Sequence, residues 1–305
     1  MKYITGTLDF KLNKRSAITL GKFDGLHRGH MKLINRVLSL NSGGMETVVF
    51  AFDMSCQEAE DDNDFRTLLT NEERKNVVAA TGIDCLVECP FVSEITNMEP
   101  EIFVKEMLVN QLKASHVVVG TDFHFGHKRK GDPQMLVKLG RQYGFTVEVL
   151  EKVFDGDREI SSTYIREEVE KGNIEKANEL LGYPYFITGE VVRGRHIGSS
   201  IGMPTINQSL PATKQLPPFG VYTSRTKVGG KKYRSITNIG VKPTVGSDEV
   251  VVETNLFDCH EDLYGFMARV ELYHFQRPEA KFATLEELKN QIEKDVQKAK
   301  SWNGN

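Results

Sequence analysis

His27 and His30 stand three residues apart in the stretch Leu20-Gly21-Lys22-Phe23-Asp24-Gly25-Leu26-His27-Arg28-Gly29-His30. An apolar run, Ala17 to Leu20, precedes it, and an amphipathic pattern from Met31 to Leu40 follows. A strand, a glycine-punctuated turn and a helix start form an anion cradle, because backbone N–H groups and the positive helix end point one way. Imidazoles there suit phosphate binding. Capping histidines are the plainer alternative, but a cap does not need Gly21, Gly25 and Gly29, the last of which lets the backbone come close.

Two later segments carry related chemistry. Gly120-Thr121-Asp122-Phe123-His124-Phe125-Gly126, followed by Lys128-Arg129-Lys130-Gly131, reads as a nucleotide pocket with Asp122 as its polar anchor. The alternative is a glycine-bounded loop with a solvated basic turn. In Ser161-Ser162-Thr163-Tyr164-Ile165-Arg166, Ser162 or Thr163 suits a helix N-cap, with Glu167 and Glu168 complementing the first-turn dipole. Arg166 is then a cation in the first turn, where the dipole disfavours it and a bound phosphate would offset the penalty.

The last third of the chain holds a different set. Gly194, Gly198 and Gly202 lead into Met203-Pro204-Thr205-Ile206-Asn207. Thr205 and Asn207 share one face if extended. Glu253 lies in the alternating run Val250 to Phe257, where it reads as a solvent-facing strand residue.

These residues need elements to hold them. Ala17–Gly21, Thr47–Phe52, Cys85–Cys89, His116–Gly120 and Thr146–Leu150 read as buried strands. Helical patterns lie between them at Met31–Leu40, Asn71–Thr81, Pro100–Leu112 and Pro133–Tyr143. Alternation of this kind predicts a doubly wound parallel sheet with ligands beyond the carboxyl ends of its strands. After Gly182-Tyr183-Pro184 the pattern turns to strands: Phe186–Arg193, Gly220–Lys227, Tyr233–Ile239, Val250–Phe257 and Met267–Phe275. Gly229-Gly230 predicts a hairpin, and Leu285–Lys300 a closing helix on a small antiparallel β-barrel. The expected domains are 1–183 and 184–305.

Composition excludes several classes. The 305 residues are 39% hydrophobic and 27% charged, with a formal net charge of −3, so no basic field points to nucleic acid. No run approaches the ~18 apolar residues of a membrane span. Cys56, Cys85, Cys89 and Cys259 have neither C-x-x-C nor zinc spacing. The expectation is a cytoplasmic protein, a monomer or weak homo-oligomer, with no membrane or nucleic-acid partner. The acidic cluster Glu58 to Asp64 reads as a solvated loop.

The H-x-G-H element resembles the nucleotidyltransferase signature, in which the histidines bind ATP phosphates. With Leu69-Thr70, Glu73, Gly82-Ile83-Asp84, Pro100 to Val104, the Gly120 loop and Ser161 to Arg166, the chain resembles the bacterial bifunctional riboflavin kinase/FAD synthetase family over nearly its whole length. The resemblance implies an N-terminal nucleotidyltransferase domain converting FMN and ATP to FAD and pyrophosphate. Its site would include His27, His30, Arg166, Gly21, Phe23, Asp24, Gly25, Gly29, Asp122, Phe123, Ser161, Ser162 and Thr163. It also implies a C-terminal kinase domain converting riboflavin to FMN with Mg-ATP. There Thr205 and Asn207 hold the metal, Glu253 is the base, and Gly194, Gly198, Gly202, Pro204, Asn238 and Arg277 line the site, with Lys281 and Phe282 completing the final motif.

Three departures from the family pattern stand out. Phe52-Asp53-Met54-Ser55-Cys56 replaces a Pro-His-Pro element, Ile197-Gly198-Ser199 replaces Arg-Gly-Arg, and Asn255 stands where many members have histidine. They leave two alternatives open: a kinase with weak or lost adenylylation, and a flavin-binding regulatory protein.

Overall fold

The apolar runs of the first half become the strands of one parallel sheet. The computed structural model describes residues 1–41, 44–53, 66–193, 203–211, 213–244 and 247–303, with backbone alone at 242–244 and 247–249. Cys56, the 58–64 cluster, and Gly194, Gly198 and Gly202 therefore lie outside the described residues. Two compact units divide the chain, Met1–Ser162 and Thr163–Asn305.

The first unit runs β1 (Lys2–Thr5), β2 (Ser16–Gly21), α1 (Arg28–Ser39), β3 (Glu46–Asp53), α2 (Asn71–Ala80), β4 (Cys85–Pro90) and α3 (Ser93–Thr96). It continues with α4 (Pro100–Phe103), β5 (Ala114–Gly120), α5 (Pro133–Tyr143), β6 (Thr146–Leu150) and the short strands β7 (Phe154–Asp155) and β8 (Arg158–Glu159). The six-stranded order is β1-β4-β3-β2-β5-β6, and every pair is parallel. From β2 the chain steps outward through β3 to β4, then returns to add β5 and β6 on the other side. The reversal opens a crevice between the ends of β2 and β5, where such sheets bind ligands.

Local chemistry sets these helices. Thr70 and Glu73 form a reciprocal capping box on α2. Asp132 caps α5 ahead of Pro133, and left-handed Gly144 ends it. Ile18, Leu20, Val48, Phe50, Val87, Val117 and Val119 meet Phe103, Leu108, Leu136 and Leu139 in one core. One element was not foreseen, and one expectation fails. Lys2–Thr5 forms an edge strand with one register partner sequence on β4, although its short, half-buried pattern gave no apolar run to read. The helix expected over Pro100–Leu112 changes at Val104 into a π-helical turn through Gln111, which nothing in the sequence marks.

The second unit contains α6 (Ser162–Glu170, from its second residue), α7 (Ile174–Leu181), β9 (Phe186–Val192), β10 (Thr205–Ser209), β11 (Gly220–Val228), β12 (Lys231–Thr244), β13 (Ser247–Leu256), β14 (Met267–Pro278) and α8 (Leu285–Ser301). Helix α7 belongs with the barrel through Asn178, whose side chain donates to the Leu272 carbonyl at 2.9 Å and accepts from the Tyr185 N–H at 2.6 Å. The six strands close in the order β10-β13-β12-β11-β14-β9, all antiparallel. Gly229 and Gly230 have φ of +57° and +76°, the two left-handed residues that a tight hairpin between β11 and β12 requires.

Hydroxyls fill part of the barrel interior. Ser224 reaches Ser235 and Thr237 at 2.8 Å each, Thr226 reaches Ser235 at 2.8 Å, and Thr237 reaches Thr254 at 2.9 Å. Gln208 joins the seam by donating to the Gly189 and Ala268 carbonyls at 3.0 and 2.7 Å. A barrel this narrow is packed with its own side chains. Any ligand must use the outer face, where alternate residues of each strand point.

Candidate active sites

In the first unit, His27 caps α1: its Nδ1 accepts the Gly29 N–H at 3.2 Å. That bond puts the proton of the neutral ring on Nε2. The His30 ring stacks on it, centroids 3.8 Å apart and 26° between planes, and Phe23 lies 5.1 Å from His30. A methyl on Gly29 would come within 3.1 Å of the His27 ring, so glycine is what lets the imidazole fold over the helix end. Phe23, Gly25 and Leu26 have φ of +49°, +82° and +40°, a run of left-handed backbone that coils the turn.

Burial lowers both imidazoles. His27 is only 6% exposed and its pKa falls to about 4, chiefly through lost hydration, with the negative charge of Asp122 opposing the fall. His30 falls well below the usual histidine range through burial and then the neighbouring His27. The residue as a whole is half-buried, but its Nδ1 is shielded and has no hydrogen-bond partner among the described residues. Both rings are neutral at pH 7, and neutral imidazoles can donate to phosphate oxygens without the desolvation cost of a buried cation.

The remaining residues expected here divide by position. Fully buried Phe23 supports His30, and Asp24 accepts the Leu68 and Leu69 N–H groups at 2.8 and 3.2 Å, so both side chains are built into the turn. Gly21 lies beside the Phe23 ring, where an added methyl would meet it at 3.4 Å. Behind the turn, buried Arg74 donates to Glu88 at 2.6 Å and to the Lys22 carbonyl at 3.3 Å, and Tyr3 also donates to Glu88. This brace was not foreseen. Its members come from β1, α2 and β4, and no local pattern links them.

Across the crevice, exposed Asp122 pairs with Lys152 at 3.2 Å, and Lys152 donates to Glu159 at 2.6 Å. Lys152 and Glu159 also escaped the sequence reading; the available signal was the place of Lys152 just beyond β6. Phe123 stacks on Phe125 with centroids 5.6 Å apart.

The 161–168 segment needs correction. Helix α6 starts at Ser162, so its first turn holds no acidic residue and Arg166 lies in the second turn, as do Glu167 and Glu168. Neither Ser162 nor Thr163 is the cap: both are already helical, and the Ser162 hydroxyl donates to the Asp24 carbonyl at 2.8 Å. Ser161 precedes the helix. The dipole argument for a phosphate beside Arg166 therefore loses its premise.

In the second unit, register assembles the other set. Asn207 on β10 pairs with Glu253 on β13, and Glu253 pairs with Asn238 on β12. The same row continues through Val221 to Arg277. Directly opposed side chains on one face lie about 5 Å apart at Cβ, so a carboxylate sits between two amides. Thr205, two residues before Asn207, shares that face and pairs with Asn255. Asn255 donates to the Pro204 carbonyl at 2.8 Å and so holds the start of β10.

Arg277 is engaged elsewhere than expected: Nε and Nη2 donate to Asp295 of α8 at 2.9 and 2.7 Å, and its guanidinium lies 5.9 Å from the Phe282 ring. It pins the closing helix beside the row. Glu279 rests against Gly240, on the same side of β12 as Asn238, so closely that a methyl there would displace it. Thr205 and Asn207 offer a hydroxyl and a carbonyl beside a carboxylate, a hard-oxygen set that fits Mg²⁺. Among the described residues no group of three or more His, Cys, Asp or Glu side chains forms a metal cage.

Comparison with known proteins places both halves. A FAD synthetase family model matches residues 9–164, and a riboflavin kinase model matches residues 181–303. These matches define a protein of two fused transferase modules. Relatives named bifunctional riboflavin kinase/FMN adenylyltransferase include one from Bacillus subtilis, 35% identical over 93% of this chain and 92% of that protein. One from Escherichia coli is 34% identical over 94% and 92%. The chain belongs to the bifunctional riboflavin kinase/FMN adenylyltransferase family. A crystal structure titled macrolide-efflux protein, from Streptococcus pneumoniae, shares the fold with a TM-score of 0.87 and 28% identity over 99% of each chain. No helix among the described residues here is long and apolar enough to cross a membrane.

Proposed function

We propose that this chain makes FMN from riboflavin and ATP in its second unit, and FAD from FMN and ATP in its first. The observation that carries the reading is that each half holds its own phosphate-handling constellation: stacked neutral imidazoles on a helix N-terminus, and a carboxylate set between amides on a barrel face.

In the kinase half, a ribityl hydroxyl must lose its proton as it attacks the γ-phosphoryl group. Glu253 takes that proton. Thr205 and Asn207 hold Mg²⁺, which when bound neutralises charge on the ATP phosphates. Asn238 orients the Glu253 carboxylate, and Arg277 keeps α8 seated beside the flavin.

The adenylyl half needs no base. The FMN phosphate, with a second pKa of ~6, is already an anion at neutral pH. One of its oxygens bonds to the α-phosphorus of ATP while the bond to the bridging oxygen breaks, releasing pyrophosphate. His27 and His30 donate to the polyphosphate as charge moves onto the leaving group, with the α1 N-terminus adding positive potential. Asp122 and Phe123 face the nucleotide from the far side of the crevice. Cys85 and Cys259, neither held in a disulfide, fit a cytoplasmic setting.

Incubation with riboflavin and Mg-ATP, followed by chromatography, tests the scheme. FMN should appear first and FAD after it. FMN accumulating alone would leave only the kinase, and flavin binding without ATP consumption would make the protein a sensor.

A further inference from the structure

We propose that Lys152 is a positioning residue of the adenylyl-transfer site, holding Asp122 and Glu159 side by side so that they receive the ribose hydroxyls of the nucleotide without repelling its phosphates. The inference rests on reading this half as an adenylyltransferase.

Placement is the first argument. Lys152 follows β6 by two residues and bridges two separate walls: 3.2 Å to Asp122 beyond β5 and 2.6 Å to Glu159 at the end of β8. Asp122 folds back over Gly120, its Oδ1 3.0 Å from where a methyl would stand. Glu159 precedes Ile160, whose carbonyl lies 3.7 Å from the corresponding point on Gly29. The clamp thus spans from the β5 loop to the helix start that carries the imidazoles. Lys32 of α1 reaches the same strand end, donating to the Glu151 carbonyl at 2.6 Å.

Charge is the second argument. Ionised carboxylates only accept hydrogen bonds, so they match hydroxyls and clash with phosphates. Asp122 and Glu159 side chains are 63% and 35% exposed, open to a ligand, while Lys152 is 27% exposed between them. Without the lysine, two negative charges would stand beside a polyphosphate site and splay apart. With it the cluster carries a single negative charge and a fixed spacing. The Asp122 charge is also felt at His27, so its placement matters to the imidazole pair.

FAD formation from supplied FMN tests this in K152M and K152R, with riboflavin phosphorylation by the same preparations as the folding control. K152M should raise KM for ATP about tenfold at low salt, with kcat within about threefold, because one charge in a half-exposed setting is removed. Added salt should narrow the gap. K152R should restore most of the affinity, and K152M with Asp122→Asn should recover part of it by removing the stranded carboxylate. An unchanged KM in K152M, a loss confined to kcat, or an arginine variant as poor as the methionine one would overturn the inference. Should the unmutated chain make no FAD, the adenylyltransferase reading fails. Calorimetry with ATP then decides the clamp separately: weakening of one site about tenfold in K152M upholds it, and equal affinity refutes it.

Discussion

Protonation of His27 should selectively undermine the first unit as pH falls. Its pKa moves from the usual 6.5 to about 4 in the fold, chiefly because burial disfavours the charged ring. At 1.36 kcal/mol per pH unit the full difference is about 3 kcal/mol. The folded state binds the proton less readily than the unfolded chain, so this contribution is present above pH 6.5 and is lost as pH falls toward 4. Between pH 7 and pH 5 the loss is about 2 kcal/mol. Protonating Nδ1 also removes the acceptor of the Gly29 N–H, uncapping α1 and placing a cation at its positive end. His27→Asn keeps a good N-cap but cannot titrate. Urea unfolding followed by circular dichroism should therefore show a first-unit transition that moves with pH in the wild type and less in the variant, where buried His30 still titrates. Trp302, the single tryptophan, packs on Tyr273 in the second unit, so its fluorescence should report a transition that the substitution leaves alone. An identical acid shift in wild type and His27→Asn would refute the argument.

Other expectations follow from the geometry. Arg277→Ala strands Asp295, which is 2% exposed, and should destabilise the second unit by about 3 kcal/mol in the fluorescence transition. Gly29→Ala crowds the His27 ring and should slow FAD formation at least about tenfold while riboflavin phosphorylation is unchanged, as comparison of the two rates would reveal. Ser162→Ala removes the tie to the Asp24 carbonyl and should cost about 1 kcal/mol of first-unit stability, measured by urea midpoint.

What the sequence discloses is local, and what it conceals is pairing. Strand and helix identities follow from apolar periodicity, so β2, β3, β5, β6 and α5 stand where their residues place them, and the Gly229-Gly230 hairpin forms as its dipeptide demands. The imidazole pair was legible because its spacing and its glycines lie within one turn. Glu253 was legible only by likeness; its neighbours Asn207 and Asn238 come from register between strands far apart in the chain. The Arg74–Glu88 brace and the Lys152 clamp were hidden for the same reason. Ser162 shows the limit most plainly: a hydroxyl at a helix start suggests a cap, but Asp24, 138 residues away, supplies its acceptor.

The account stands or falls on two independent sites, and one crossed experiment addresses that. FMN formation from riboflavin and FAD formation from supplied FMN are measured on the same preparations of Glu253→Gln and His30→Ala. Glu253→Gln should lose at least about 100-fold in FMN formation with FAD formation intact, and His30→Ala should show the opposite pattern. Parallel loss of both reactions in either variant would contradict it.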